Sequence, residues 1–281
     1  MPISAVIHLI PPEDVTLRPT MGHHAHAAFL SLLRMSNPEK AEEVHATSKQ
    51  KPFTVSPLIG SGERRGNLLH IRAGTECWLR FTFLNDALFA HFGSAFLTQS
   101  LPSIRLGGAV FQLSRWVVSG TETKDWSGNT TYEDLIESAG TDTRMRVRFY
   151  SPTAFRELSP RGQKTRNQAQ IDLVRCYQSW VNKWNAFAPI QIDKQPLLDF
   201  VARHAGLAAV ESKSQMLDFG RHKAVGFVGS CAYQFFEERQ SEGKVDTEML
   251  RLVNLLADFA FYCGTGYKTT MGMGQTRRQE S

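Results

Sequence analysis

The sequence predicts an α+β protein made of two tandem domains, each with the β-α-β-β-α-β element order of the ferredoxin-like (RRM-like) fold. Short apolar and alternating runs typical of strands are separated by segments with helical spacing. This order occurs twice along 281 residues, a length that accommodates two domains. Between the two copies, residues 120–143 are rich in acidic, glycine, serine and threonine residues, which is typical of a boundary loop.

The first half contains one complete set of elements. In chain order we expect a strand at 4–10, a helix from a cap at Thr20 to about Met35, a short helix at 41–44, extended segments at 53–59 and 67–84, a helix capped by Asp86, and an extended segment at 104–118. We therefore place the N-terminal domain at residues 1–125 and a boundary loop, with room for one helical turn, at 126–143.

The second half repeats the order, without a clear repeat of sequence. In chain order we expect a strand at 144–150, a helix from about Asn167, a short helix at 197–204, a hairpin of 211–219 with 224–236, a helix capped by Asp246, and a terminal strand. Leu173, Tyr177, Trp180 and Trp184 recur at helical spacing, and we interpret this stripe as core rather than a base-stacking surface. The C-terminal domain is placed at residues 144–281.

Composition restricts the class of protein. No run reaches about 18 apolar residues, so no membrane helix is expected, and the N-terminus lacks the basic start of a signal peptide. The four cysteines are far apart and form no CxxC pair, which argues against a zinc ribbon and favours reduced thiols in the cytoplasm. The net charge of +5 permits a polyanionic partner without requiring one.

The charge is distributed unevenly. Residues 120–143 carry six acidic residues and one lysine, whereas 144–166 carry seven basic residues and one glutamate. In the predicted strand, Arg144, Arg146 and Arg148 alternate with apolar residues and so share one face. Such a face suits the phosphates of a nucleic acid, although a solvated strand face is the alternative. Arg156, Arg161, Lys164 and Arg166 would extend this patch.

A glycine-rich segment directly follows the last predicted helix. Gly264, Gly266, Gly272 and Gly274 would let the backbone approach an anion, and Lys268 would add a charge. The segment is neither a P-loop, because Lys268 follows a tyrosine, nor a dinucleotide-binding loop, because the third glycine and the following helix are missing. A flexible helix cap and turn is the alternative interpretation.

This loop, at the end of a protein of this size, resembles that of the CRISPR-associated repeat-processing endoribonucleases of the RAMP superfamily. A second match lies in the N-terminal half, where Asn37-Pro38 follows a helix, His45 comes next and Lys51 precedes a strand. The resemblance implies two ferredoxin-like domains and an endoribonuclease that cuts precursor CRISPR RNA within repeats to give crRNA. It further implies metal-independent attack of a 2′-OH, leaving a 2′,3′-cyclic phosphate and a 5′-OH, with no cofactor.

The resemblance also assigns residues. His45 corresponds to the general base and Lys51 to the residue that stabilises the phosphate charge, with Ser48 and Lys49 as substitutes. Leu30 stands nearest to the position where relatives often have a tyrosine, which leaves a third catalytic role unassigned. Gly264, Gly266, Lys268, Gly272 and Gly274, together with the three arginines, are the expected RNA-binding residues.

The expected partners are CRISPR repeat RNA and crRNA, with other effector subunits as further candidates and either a monomer or a homodimer. A non-catalytic RAMP subunit that only holds crRNA is the alternative function, and an unrelated basic ferredoxin-like protein is a third. His23, His24 and His26 lack the spacing and acidic neighbours of a metal site. We expect an exposed helix start there, with an RNA-contacting or auxiliary catalytic role as the alternative.

Overall fold

A computed structural model describes residues 1–18, 21–47, 50–66, 68–97, 103–119, 126–156, 167–219, 223–236 and 246–279. The chain divides into two compact units. The N-terminal unit comprises Met1–Thr130 together with Thr270–Gly272, and the C-terminal unit comprises Thr131–Thr269 with Met273–Ser281. A three-residue piece of the glycine-rich loop therefore belongs to the N-terminal unit.

The N-terminal unit contains three helices and ten strands among the described residues. In chain order they are β1 (Ile3–Ile10), β2 (Val15–Leu17), α1 (Gly22–Ser36), α2 (Pro38–Ala46), β3 (Phe53–Val55), β4 (Ile59–Gly60), β5 (Glu63–Arg65), β6 (Leu68–Ile71), β7 (Cys77–Phe83), α3 (Asp86–Leu97), β8 (Ser103–Leu106), β9 (Ala109–Val117) and β10 (Gly128–Asn129).

The main sheet of this unit has the order β3-β7-β1-β9-β8, and β2, β5 and β6 form a separate small sheet. Helices α1 and α3 pack on the main sheet through stacked aromatic rings. The Phe29 ring of α1 lies 4.0 Å from that of Phe53 and 5.2 Å from that of Phe92. All three side chains are fully buried, so burial of this aromatic cluster fixes α1 against β3.

The C-terminal unit contains four α-helices and six strands among its described residues. In chain order they are α4 (Tyr132–Glu137), β11 (Arg144–Thr153), β12 (Phe155–Arg156), β13 (Asn167–Gln168), α5 (Leu173–Phe187), α6 (Lys194–His204), β14 (Ala205–Asp218), β15 (Lys223–Phe235), α7 (Thr247–Cys263) and β16 (Thr276–Gln279). A 3₁₀ turn at Thr269–Met271 begins in this unit and continues into the part of the loop that belongs to the N-terminal unit.

The sheet of the C-terminal unit has the order β14-β15-β11-β16, with antiparallel neighbours. In the C-terminal unit β15 and β11 are central and are flanked by β14 and β16. In the N-terminal unit β7 and β1 are flanked in the same way by β3 and β9. This arrangement confirms the predicted α+β class and the ferredoxin-like order in both halves. The predicted core stripe is also confirmed, because Tyr177, Trp180 and Trp184 of α5 are fully buried.

Several predicted boundaries differ from the structure. The helix expected to be capped by Asp86 is capped by Asn85, whose side chain accepts a hydrogen bond from the Leu88 amide at 3.2 Å. The helix expected from about Asn167 begins at Leu173, because Asp172 caps it by accepting from the Arg175 amide. The Asp246 cap is confirmed by its bonds to two amides of α7. Thr20 lies outside the described residues.

The four cysteines are all buried and none forms a disulfide. Within the described part of the chain, no helix combines the length and apolar character needed to cross a bilayer.

Candidate active site and glycine-rich loop

His45 and Lys51 meet at the C-terminal end of α2. Asn37 and Pro38 begin this helix, and the Asn37 side chain accepts from the Lys40 amide at 2.8 Å. His45 is exposed in the last turn. The Lys51 ammonium donates to the main-chain oxygens of Val44 at 2.6 Å and His45 at 3.0 Å. Lys51 thus satisfies carbonyl groups at the C-terminal end of α2, where the helix dipole favours a cation. Partial burial lowers the pKa of Lys51.

A second histidine lies close to this pair. His26, on α1, is partly buried, and its ring stacks on that of Phe53 at 5.7 Å. Its Nδ1 lies 2.8 Å from the main-chain oxygen of Thr270, which belongs to the same unit. Because a carbonyl oxygen can only accept, Nδ1 must carry the proton. In the neutral ring, Nε2 therefore holds the free lone pair.

The surroundings of His26 favour its neutral form. Burial lowers the pKa of His26 most strongly, and the hydrogen bond to Thr270 partly opposes this effect. The positive charges of Lys51 and His45 lower the pKa of His26 further, so the three groups interact electrostatically. A histidine whose pKa lies below 6.5 is predominantly neutral at pH 7, with Nε2 able to accept a proton.

Sequence reasoning underestimated His26. The expected exposed helix start is wrong, because His23, His24 and His26 are all partly buried. Leu30, one turn after His26, is 7% exposed and belongs to the hydrophobic core. The four-residue separation puts His26 and Leu30 on one face of α1, but this spacing alone does not assign a catalytic role to His26. Ser48 and Lys49 lie outside the described residues.

The glycines of the C-terminal loop have a structural cause. Gly264, Gly266, Gly272 and Gly274 have φ angles of 63°, 78°, 85° and 73°, which glycine adopts most readily. A Cβ on Gly266 would overlap the main-chain oxygen of Ala154, and one on Gly274 would overlap that of Thr265. The close approach that requires glycine is thus to the protein's own backbone.

Much of the loop's hydrogen-bonding capacity is used within the protein. The amides of Thr265, Gly266, Tyr267 and Gly274 donate to Gly274 O, Ser179 Oγ, Ala154 O and Pro152 O, at distances of 2.8–3.0 Å. Gln275 donates its amide to Ser151 Oγ at 2.9 Å. These amides therefore do not face an anion. The predicted anion contact is restricted to residues 268–272, and it stays a prediction.

Buried side chains of α5 hold the glycine-rich loop in place through hydrogen bonds. The Lys183 ammonium donates to the Cys263 main-chain oxygen and to the Thr269 hydroxyl, the latter at 2.8 Å. Trp180 Nε1 donates to the Thr265 hydroxyl, also at 2.8 Å. Burial lowers the pKa of Lys183 to about 8. These contacts were not predictable from the sequence, which showed only a helical residue between two core tryptophans.

Lys268 occupies an unusual position in the loop. Its φ of 56° is positive, a conformation that no other non-glycine residue shares among those described. Its ammonium lies 4.1 Å from the centre of the Phe219 ring and 5.5 Å from that of Tyr267. Partial burial lowers the pKa of Lys268.

The three arginines of β11 form an exposed row. Arg144, Arg146 and Arg148 are exposed, while the residues between them are buried. Arg148 lies over the Tyr150 ring at 4.9 Å, and β16 places Arg277 directly beside Arg148. We call Arg144, Arg146, Arg148 and Tyr150 the arginine face. The predicted alternation is confirmed, whereas the RNA-binding role of these residues stays a prediction.

The other cations of the C-terminal unit differ in their surroundings. Arg278 is engaged with Asp142 at 2.6 Å and Asp258 at 3.1 Å, so its charge is neutralised within the protein. Arg156 lies 5.9 Å from the Tyr267 ring centre. Arg161, Lys164 and Arg166 lie outside the described residues.

We predict that Gly274→Ala destabilises the protein more than Gly66→Ala. Both glycines have positive φ, which costs an alanine about 1–2 kcal/mol. Only at Gly274 would the new methyl also overlap backbone, because the space around Gly66 is open. Chemical denaturation should therefore give a larger loss of unfolding free energy for Gly274→Ala, by about 1 kcal/mol or more. Equal losses of unfolding free energy in the two variants would contradict the close backbone packing around Gly274.

Comparisons with solved structures identify similar folds. A Thermus thermophilus Cas6, solved as a product complex, is 27% identical with a TM-score of 0.81, covering 99% of this chain and 100% of that chain. Another structure of this Thermus thermophilus Cas6 is 25% identical with a TM-score of 0.73, covering 99% and 98%. A further Cas6 product complex is 22% identical, has a TM-score of 0.75 and covers both chains fully, which shows the fold alone.

Family models match both halves. The CRISPR Cas6 N-terminal domain matches residues 1–137, and the CRISPR-associated endoribonuclease Cas6 matches residues 147–276. A comparison with curated proteins found no match. Because the two models together span nearly the whole chain, the protein belongs to the Cas6 family of CRISPR-associated endoribonucleases.

Proposed function

We propose that this protein cleaves CRISPR repeat RNA by metal-independent transesterification, using His26, His45 and Lys51. The observation that carries the proposal is the hydrogen bond from His26 Nδ1 to the Thr270 oxygen, beside the His45–Lys51 pair. The similarity to a Cas6 that was solved as a product complex supports an RNA substrate. We further propose that crRNA is the product.

His26 acts as the general base in this proposal. The reaction requires removal of the proton from the 2′-OH of the nucleotide before the cut. His26 Nε2 holds a lone pair when Nδ1 donates to Thr270, and its lowered pKa keeps the ring neutral near pH 7. The activated 2′ oxygen attacks the adjacent phosphorus and the bond to the 5′ oxygen breaks, leaving a 2′,3′-cyclic phosphate.

His45 and Lys51 act on the leaving 5′ oxygen and on the phosphate. The leaving 5′ oxygen needs a proton, and we propose that the exposed side chain of His45 supplies it, so that His45 acts as the acid rather than the base. The Lys51 ammonium has three donors, of which two go to the end of α2. We propose that the third donates to a nonbridging phosphate oxygen and stabilises the charge that builds up on it.

The arginine face is the proposed site for the RNA backbone. Evenly spaced cations on one strand suit phosphates, and Tyr150 offers an exposed ring for a base. Lys268 with the loop residues 269–272 is a second proposed phosphate contact. Such contacts set the position of the RNA rather than select its sequence.

We predict that His26→Ala and His45→Ala each reduce the rate of repeat cleavage by about 10²–10⁴-fold, because each removes a proton-transfer group. Single-turnover assays with repeat RNA in EDTA measure this, and mass spectrometry identifies the cyclic phosphate. The wild-type rate should fall as the pH drops through the lowered pKa of His26, below 6.5, because a protonated base is inactive.

His24→Ala is the matched control, because His24 lies on the same helix and lines a different groove, with Arg105. Its rate should stay within a few-fold of wild type. A substrate with a 2′-deoxy nucleotide before the cut should bind but resist cleavage. Undiminished cleavage by His26→Ala would contradict the assignment of the base. Tight binding by the wild type without any cut would favour the non-catalytic alternative.

We predict that Arg146→Ala weakens RNA binding and lowers the slope of log Kd against log salt by about 1, as expected for one lost phosphate contact. Arg203→Ala provides a control on α6. This helix packs on the opposite sheet face, where Phe200 stacks on Phe235 at 5.4 Å. Fluorescence anisotropy over a salt series measures both slopes. Equal slopes for Arg146→Ala and wild type would contradict an RNA contact at this position.

A further inference from the structure

Lys183 is a buried cation on α5 whose hydrogen bonds go to the glycine-rich loop and to the helix before it. The residue is 4% exposed. Its ammonium donates to the main-chain oxygen of Cys263, the last residue of α7, and to the Thr269 hydroxyl. A buried ammonium costs free energy that an apolar side chain of similar size would not. Stability alone therefore does not require a lysine here, and its acceptors indicate its role.

The Thr269 side chain is held through both of its groups. It is 6% exposed, and its hydroxyl accepts from Lys183 at 2.8 Å. Its methyl group lies close to two glycines, because a Cβ added to Gly264 or Gly274 would come within 3.3 Å or 3.0 Å of Thr269 Cγ2. A β-branched side chain fixed at both ends has little freedom to rotate, so the main chain of residue 269 is fixed with it.

The main chain around Thr269 depends on such an anchor. Lys268, directly before it, has a φ of 56°, which is unfavourable for a residue with a side chain. A strained conformation of this kind persists only where the surrounding structure holds it. Thr269 also begins a single 3₁₀ turn, whose hydrogen-bond geometry is poorer than that of an α-helix. Release of Thr269 would therefore let this part of the loop relax.

The next residue carries the carbonyl that selects the tautomer of His26. Thr270 follows Thr269 directly, and its main-chain oxygen lies 2.8 Å from His26 Nδ1. The residues after Thr270 pack against the start of α1, where a Cβ on Gly22 would overlap main-chain atoms. Thr270 is thus held from both sides, through Lys183 before it and through Gly22 after it.

We propose that Lys183 is a positioning residue for RNA cleavage. Through Thr269 it holds the Thr270 carbonyl in place, and this carbonyl keeps the proton of neutral His26 on Nδ1. Lys183 is buried and acts through the main chain of the loop rather than on the RNA. The inference rests on the proposed role of His26 as the base.

Lys183→Met tests the inference, because methionine is similar in length and cannot donate a hydrogen bond. The single-turnover rate at saturating RNA should fall about 10–10²-fold, as expected for a small misplacement of a catalytic group. The Kd for RNA, measured by fluorescence anisotropy, should not change. Nitrogen-15 NMR should show that neutral His26 is now partly protonated on Nε2. A wild-type rate with an unchanged tautomer would overturn the inference.

Trp180→Phe is the matched control. It also removes a buried hydrogen bond from α5 to the loop, but at Thr265, whose hydroxyl is still paired with that of Thr276. The smaller ring leaves a cavity and should destabilise the protein. The tautomer of His26 and the cleavage rate should nevertheless stay close to wild type. Equal losses of rate in Lys183→Met and Trp180→Phe would indicate a structural role alone and would overturn the inference.

Thr269 provides a second test that leaves Lys183 in place. Thr269→Val keeps the shape of the side chain and loses the hydroxyl, whereas Thr269→Ser keeps the hydroxyl and loses the methyl group. The hydrogen bond to Lys183 is lost only in the first, so Thr269→Val should cleave more slowly than Thr269→Ser. The reverse order would show that packing of the methyl group positions the loop, and it would overturn the role of Lys183.

The same assays separate this inference from the proposed function. If His26→Ala cleaves slowly while Lys183→Met cleaves like wild type, the positioning role is wrong and the assignment of the base stands. If His26→Ala itself cleaves like wild type, the proposed function is wrong and the positioning role is wrong with it.

Discussion

The hydrogen bond between His26 Nδ1 and the Thr270 oxygen determines the chemistry available at the proposed active site. A carbonyl cannot donate, so this single contact selects the tautomer and aims the lone pair of Nε2 away from the backbone. This hydrogen bond requires Thr270 to lie beside α1. A close approach between the main chains of Gly272 and Gly22 makes this position possible. A Cβ on Gly272 would come within 2.9 Å of the Gly22 Cα at the start of α1. Small residues on both segments permit this distance.

The glycine-rich loop therefore contributes mainly through the conformation of its main chain. Its first and last parts are joined by the bond from the Thr265 amide to the Gly274 oxygen at 2.8 Å. Lys183 and Trp180 fix the loop from α5, at the cost of burying an ammonium group whose pKa falls to about 8. A buried lysine is expensive unless its hydrogen bonds are made, and here Cys263 and Thr269 accept them. The loop geometry rather than a cradle of free amides explains the four glycines.

The sequence predicted the fold class because hydrophobic periodicity and caps are local properties. Asp246 capped its helix as expected, and the alternation of Arg144–Arg148 predicted an exposed arginine row. Helix boundaries are harder to predict where two neighbouring residues can both cap a helix. Asp86 was the predicted cap of α3, whereas Asn85 accepts the hydrogen bond. His45 and Lys51 were assigned through the family resemblance of the segment that begins at Asn37. The roles of His26 and Lys183 depend on contacts with residues 244 and 86 positions away, which no local pattern encodes.

The tautomer of His26 is the most direct test of its proposed role as the base. Nitrogen-15 NMR of the imidazole side chains, assigned with a His26→Gln variant, distinguishes a protonated Nδ1 from a protonated Nε2. We predict that neutral His26 carries its proton on Nδ1 and titrates with a pKa below 6.5. A neutral ring protonated on Nε2, or a pKa above 6.5, would contradict the proposal that His26 is held ready as the base.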